Sequence, residues 1–388
     1  MAGQRSIGIV SPSFHPMIGG VELYVKGVGS ELARLGYDVH VYTPDRVMGK
    51  KMDEKEEVVD GINVHRLSVL FELSYRIKAW PGLRGALERG GHDLIHVYSH
   101  DSYARPSAKA AGSLGRPLII TTYGPFETHS DYGAAQRLLF RLYDSYVTPS
   151  LLRKCAYVMV RYPEILDWVR SMGVGEPMTK VEPSGIPRSY LKENGDSGRN
   201  WSKSEGPTIL YLGRISPQKG VQYAVEAMEH VVAKFPTATL ALVGPDYVGY
   251  TRHLVALAER LGIKENIAFL APVIGEEAEG ALLSDCDVFV MPSSFEGFSQ
   301  GVMKAMAHGR PVVVTRVGGL PFEVDYGRCG AICEFADPKS LAESVIDVLE
   351  SPERASAMSS KARKRAGEFT FDRLASSLSK TYESVLTR

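Results

Sequence analysis

Four cysteines in 388 residues are too few and too scattered for a disulfide scaffold. Of Cys155, Cys286, Cys329 and Cys333 only the last two lie close together. One pair alone makes no zinc site, so these two either clip a loop or sit reduced, and reduced structural thiols are expected. No apolar run approaches the ~18 residues that a membrane-spanning helix needs. The opening MAGQRSIGIVSPSF has no apolar stretch of signal-peptide length. Net charge is missing too: Lys plus Arg equals Asp plus Glu at 45 each, so no overall field recruits nucleic acid or a membrane. These absences point to a cytoplasmic protein. A peripheral contact at the cytoplasmic face of a membrane stays open through YRIKAWPGLRGAL, with Arg76, Lys78, Trp80 and Arg84, against the reading of an exposed helix.

What is present is regular. The length suits two domains, each with its own core. Short apolar runs (SIGIVS, DVHVYT, DLIHVYS, PLIITTY, AYVMV, PTILYLG, ATLALVG, IAFLA, DVFVMPS, PVVVTR) alternate with helical patterns. Their hydrophobicity is continuous rather than alternating, which suits parallel strands buried on both faces. Val21, Val25, Val28, Leu32 and Leu35 follow helical spacing up to the breaker Gly36, and Val221, Ala224, Val225, Met228, Val231 and Val232 do so up to Pro236. Strand and helix in alternation predict an α/β fold with doubly wound sheets. The pattern breaks once, in a polar Gly-, Ser- and Pro-rich stretch at about 183–207, read as a linker. The expected division is 1–185, 186–370 and a terminal helix over 371–388. The charged MGKKMDEKEEVVDG at 48–61 reads as a solvated excursion.

Ligands of open α/β sheets bind beyond the carboxyl ends of the strands, so three loops carry the functional reading. SPSFHPMIGGVELYV leaves the first strand and enters a helix through Gly19 and Gly20, where backbone can approach a ligand. It is not GxGxxG, which argues against a nicotinamide cofactor. LGRISPQKGVQ places Arg214 and Lys219 between Gly213 and Gly220, a fork and a point charge suited to a diphosphate. MPSSFEGFSQGVMKAMAHG turns through Glu296 and Gly297. It then starts a helix whose first amides, at Phe298, Ser299, Gln300 and Gly301, would favour a phosphate. Glu296 at the lip would accept from sugar hydroxyls, and Lys304 lies in the second turn.

The ordered set of motifs resembles the retaining GT-B glycosyltransferases of the family 4 type (glycosyl transferases group 1). IGGVELYVKGVGSELARLGYDVHVYTP, DGINVHRL, DLIHVYSH, VEPSGIP, LGRISPQKG and MPSSFEGFSQGVMKAMAHGRPVVVTRVGGLPFEV carry the likeness through most of the chain. It implies two Rossmann-like domains facing a central cleft, the N-terminal one for the acceptor and the C-terminal one for a nucleotide sugar, with the terminal helix crossing back to the first. It also implies transfer of a hexosyl group from a UDP- or GDP-linked sugar to a sugar, glycolipid or glycan hydroxyl, with retention, no cofactor and no metal. Gly19 and Gly20 would approach the donor diphosphate or the acceptor. Arg214 and Lys219 would bind the diphosphate, Glu296 the transferred sugar and residues 297–301 the phosphate. His100, Tyr123, Gly124 and His129 are acceptor-side candidates.

Four departures stand against that pattern. The family's second glutamate, which usually grips the ribose, is here Lys304, able only to donate. Lys304 is expected to point into the donor cleft; were it turned to solvent, the ribose would fall to Glu323 or to backbone. Tyr123 stands where a histidine is frequent, PSGIP replaces the usual linker motif, and Phe322 is inserted before Glu323. Two alternatives therefore remain: a non-catalytic sugar-nucleotide-binding or partner subunit, and a sugar-nucleotide epimerase. The epimerase would need paired acids and histidines that the sequence does not assemble.

Overall fold

A computed structural model describes residues 4–17, 19–47, 50–74, 77–126, 133–176, 178–192, 206–273 and 275–387. It divides into two compact units, residues 1–185 with 371–388, and residues 186–370. All ten apolar runs form strands with parallel partners.

In the first unit the sheet is built from β1 (Ser6–Val10), β2 (Asp38–Pro44), β3 (Glu56–Val59), β4 (Ile62–Leu67), β5 (Leu94–Tyr98), β6 (Leu118–Thr122), β7 (Tyr157–Val160) and β8 (Thr179–Val181). Its order is β8-β7-β6-β5-β1-β2-β4-β3, parallel except for the β3–β4 pair. The chain runs outward from β1 in one direction, returns beside β1 with β5, and continues the other way. Loops leaving β1 and β5 therefore diverge over a topological switch point.

Residues 48–61 are a correction. Glu56–Val59 is an edge strand, with alternating exposure, that pairs antiparallel with β4. A hairpin of Phe71–Ser74 and Ile77–Ala79 follows. Two of the four residues named for a membrane contact are buried: Trp80 donates to Leu67 O at 3.3 Å, and Lys78 pairs with Glu72 at 3.0 Å. Arg84 pairs with Glu88, and Arg76 lies outside the described residues.

The Gly20–Arg34 helix turns Tyr24, Val25, Val28 and Leu32 into the core. Against it packs the Phe371–Leu386 helix, whose Phe371 ring fills the space a side chain at Gly27 would need. No described helix is long and apolar enough to cross a membrane.

The second unit carries β9 (Thr208–Leu212), β10 (Thr239–Val243), β11 (Ile267–Leu270), β12 (Val288–Met291), β13 (Val312–Thr315) and β14 (Ala331–Cys333), all parallel, in the order β11-β10-β9-β12-β13-β14. The direction of winding reverses between β9 and β12. The stretch read as a linker is only partly one: Ile186 and Tyr190 belong to this unit's core, and Ile186 N donates to Phe369 O at 3.0 Å. Residues 193–205 lie outside the described set. All four cysteines are free and buried.

Candidate functional site

Two loops meet over the β9/β12 switch point. Beyond β9, Gly213 N donates to Val243 O at 2.9 Å, and the Tyr211 hydroxyl folds back to Arg214 O at 2.6 Å. A short turn, Pro217–Lys219, then leads through Gly220 into the Val221–Lys234 helix. Gly220 has φ +65°, and a Cβ there would lie 1.9 Å from Pro292 O. Only glycine allows this contact, which brings the backbones of the two loops together. Ser294 N and Oγ both donate to Gln218 O at 2.9 Å, tying the loops a second time.

These ties set the central contact. Lys219 Nζ lies 2.5 Å from Glu296 Oε1, with both side chains largely buried, and Ser293 Oγ donates to the same oxygen at 3.0 Å. Arg214 is exposed on the same loop, and its side chain makes no ion pair among the described residues. The site thus offers one cation already paired and one free to take an anionic ligand. Arg214, Lys219, Gly213, Glu296, Gly297, Phe298, Ser299, Gln300 and Gly301 are brought together by two loops and the start of the Gln300–Ala307 helix.

The loop after β13 supports this arrangement from behind. Gly319 N donates to Glu296 O at 2.8 Å, and Gly318 (φ +51°) approaches so closely that a Cβ would sit 2.1 Å from that carbonyl. Glu323 Oε1 accepts from Ser299 N at 2.6 Å. Sequence reasoning assigned roles to neither Ser293 nor the Gly318–Gly319 pair. The signal available was a double glycine directly after an apolar strand.

Three expectations change here. The Ser299 amide, read as open to a phosphate, is already donated to Glu323, while Ser299 Oγ caps the helix by accepting from Val302 N at 3.4 Å. Glu323, read as a donor-binding residue, has no exposed surface, so it acts behind the loop and does not meet a ligand directly. Burial pushes its carboxyl well above the usual carboxylate range, with Glu296 adding to the effect and the Ser299 amide, Lys219 and Arg365 opposing it.

Lys304, expected to reach the ligand, is buried in an ion pair instead. Its Nζ lies 2.5 Å from Glu279 Oε2 and 5.0 Å from the centre of the Tyr190 ring, and the Tyr190 hydroxyl donates to the same Glu279 oxygen at 2.7 Å. Nor does it turn to solvent. The inserted Phe322 is accommodated by Arg365, whose guanidinium lies 4.9 Å from its ring centre and 4.6 Å from that of Phe369.

In the first unit, Gly19 caps the Gly20–Arg34 helix. Its missing side chain leaves room for the buried Glu22 carboxylate, to which the Ser13 hydroxyl donates. Open space lies beside Gly20. His100, read as an acceptor candidate, is buried and committed: Nε2 faces Asp144 Oδ1 at 3.2 Å, Nδ1 faces Thr122 Oγ1 at 2.8 Å, and the ring stacks on Phe126. Asp144 also accepts from Phe126 N, so this network fixes the turn after β6 and leaves His100 no group for a ligand. Tyr123 is half-buried, with its hydroxyl taking a bond from Arg161 at 3.2 Å. Gly124 follows with φ +92°. His129 lies outside the described residues. Among the described residues no group of three His, Cys, Asp or Glu side chains is arranged for a metal ion.

Comparison with known proteins finds similar sequences across both units. Residues 19–185 match the model of the glycosyl transferase 4-like domain, and residues 196–365 that of glycosyl transferases group 1. The chain is 27% identical to a D-inositol 3-phosphate glycosyltransferase of Corynebacterium efficiens, over 95% of this chain and 91% of the other. It is 26% identical to a GDP-mannose-dependent alpha-(1-6)-phosphatidylinositol monomannoside mannosyltransferase of Mycolicibacterium smegmatis, over 90% and 91%. In structure it is similar to the Anabaena protein HepE, solved with UDP and glucose, at a TM-score of 0.76 and 20% identity, covering 98% of this chain and all of the other.

Proposed function

This chain belongs to the GT-B glycosyltransferases of the family 4, group 1 type, and from that premise we propose that it moves a hexosyl group from a nucleoside diphosphate sugar to an acceptor hydroxyl, with retention. The observation that carries the reading is the Lys219–Glu296 pair beside the unpaired Arg214 at the switch point of the second sheet. Negative charge grows on the diphosphate as it leaves, so cations fixed there stabilise the transition state more than the bound substrate. Ser293 donates to Glu296, and the ion pair keeps Lys219 at the switch point until a diphosphate competes for it. Arg214 adds a planar fork suited to two phosphate oxygens. Glu296, once Lys219 turns to the diphosphate, keeps a carboxylate free to accept from hydroxyls of the transferred sugar. A leaving phosphate oxygen takes the acceptor's proton. UDP and GDP are both candidate nucleotides of the donor, since one similar protein was solved with UDP and another is named for GDP-mannose. The acceptor is a sugar, glycolipid or glycan bound on the first unit near Gly20, Tyr123 and Gly124.

A second reading, a sugar-nucleotide binder without chemistry, draws on Lys304: a cation replaces the signature's second acid and is spent on Glu279. The two separate in one experiment. UDP- and GDP-sugars are screened for thermal stabilisation, and the hit is assayed for sugar transfer with wild type, Arg214→Ala and Lys219→Ala. Transferase activity predicts turnover that falls ~100-fold or more in either variant. Arg214→Ala, at an exposed position, should leave the melting temperature little changed, whereas Lys219→Ala, which strands the largely buried Glu296, should lower it. Stabilisation without turnover in wild type would leave the binder.

A further inference from the structure

Among the described residues, the carboxyl of Glu323 is the one acid in this unit that stands at the site yet has no exposed surface. One oxygen accepts the Ser299 amide at 2.6 Å, while the other, Oε2, is buried without a hydrogen-bond partner among the described residues. An unmatched buried carboxyl is costly and would be replaced by an apolar side chain unless its position did something. What it does is visible in the chain around it. Glu323 is held by the turn that also sends the Gly319 amide to Glu296 O, so one short segment grips the Glu296–Ser299 turn at both ends. Between those grips stand Gly297 and Phe298, and Phe298 rests edge-on against Phe369 with ring centres 5.7 Å apart.

We propose that Glu323 is a positioning residue for the donor site: by taking the Ser299 amide it fixes the turn that presents Glu296 to Lys219 and aims the first amides of the Gln300–Ala307 helix. This rests on the transferase reading only for its effect on turnover. Burial raises the Glu323 carboxyl well above the usual range and the nearby Glu296 adds to this, while the Ser299 amide, Lys219 and Arg365 oppose it.

The test compares Glu323→Gln, which keeps an acceptor, with Glu323→Leu, which keeps bulk without one. Three properties are read: melting temperature, hydrogen exchange of the amides from 296 to 303, and release of UDP from UDP-glucose or GDP from GDP-mannose. Glu323→Gln is expected to match wild type in exchange and to stay within about threefold in turnover. Glu323→Leu is expected to melt within a few degrees of wild type, because removing an unmatched carboxyl offsets the orphaned amide. Its Ser299 amide should exchange about tenfold faster or more, and turnover should fall by at least as much. A merely structural role predicts instead a large drop in melting temperature with turnover per folded molecule unchanged, and that result would overturn the proposal. So would unchanged exchange at Ser299 in Glu323→Leu. If wild type turns over neither donor, the transferase reading fails, and exchange in the two variants still decides whether Glu323 holds the turn.

Discussion

The two units share one architecture and differ in what they bury beneath it. The first buries a network of bases and phenols. Arg161 is almost wholly enclosed, its guanidinium 4.1 Å from the centre of the Tyr24 ring and donating to the carbonyls of Glu182 and Pro183. His96 lies between Tyr382 and Thr121 at 2.7 Å from each, and His92 between Tyr42 and Ser6. Several of these groups reach the terminal helix, so they fasten an element from the far end of the chain. The second unit buries an almost unbroken apolar core; of its enclosed charges (Asp285, Glu296, Lys304, Glu323), Glu296 and Glu323 lie at or just behind the switch point. The difference is instructive. Buried polarity dispersed through a unit holds elements together, whereas buried polarity gathered where a sheet changes direction marks chemistry.

The sharpest way to break that comparison is to remove Arg161, which no carboxylate pairs among the described residues. Arg161→Ala leaves two buried carbonyls without a donor and a void among three tyrosines. We expect a loss of roughly 3–5 kcal/mol, read by urea denaturation. A loss below about 1 kcal/mol would mean the first unit does not depend on its polar interior.

Acid should then separate the units more gently. Burial holds His92 down to about 4 and His96 down to about 3. Their unfolded values lie near 6.5, so below that pH the unfolded chain binds more protons and stability falls as pH falls. Two such groups are worth about 2–3 kcal/mol by pH 5.5. Buried Glu182, whose carboxyl is raised, gains as the pH falls and offsets part of this. The second unit has one group of each kind, Glu323 raised and His308 lowered. Amide exchange at pH 7 and 5.5 should therefore show the first unit opening more easily in acid, by about 1–2 kcal/mol net, with the second nearly unchanged. Equal loss in both would deny the contrast.

How far the sequence carried the reading follows the same division. Ten of the thirteen described strands with parallel partners were legible because strands covered on both faces are largely apolar; Ile62–Leu67, Thr179–Val181 and Ala331–Cys333 were not among the runs read. The edge strand at 56–59 was not, because it is half solvated and looks like any charged loop. In the second unit the site residues are close in sequence and punctuated by glycines, so Arg214, Lys219 and Glu296 could be found together. Their pairing could not: Lys219 and Glu296 are 77 positions apart, and the backbone contacts at Gly220 and Gln218 bring them together. His100 misled because a histidine at a strand end has the same sequence signature whether it serves a ligand or fastens a turn. Glu279 carried no signal, since it lies on the Glu276–Asp285 helix and meets Lys304 through tertiary packing alone.

The smallest effect concerns that last pair. Breaking a buried ion pair from one side ordinarily costs 3–5 kcal/mol, because a charge is left stranded. Here Glu279 is not wholly stranded when Lys304 goes. It sits in the first turn of its own helix, where the dipole favours a carboxylate, it keeps the Tyr190 hydroxyl, and its side chain is 17% exposed. Lys304→Met, which keeps the stem and its packing, should therefore cost only about 1 kcal/mol. Restoring the acid of the resembled signature is predicted to be worse, because Lys304→Glu sets two carboxylates against each other under Tyr190. Its melting temperature should lie below that of Lys304→Met, and adding Glu279→Gln should recover most of the difference. Since the ammonium is spent on Glu279, calorimetry with UDP and GDP should find Lys304→Met within about threefold of wild type in affinity. A loss of tenfold or more would place Lys304 on the nucleotide after all, and the ion pair would then be a resting state that the ligand opens.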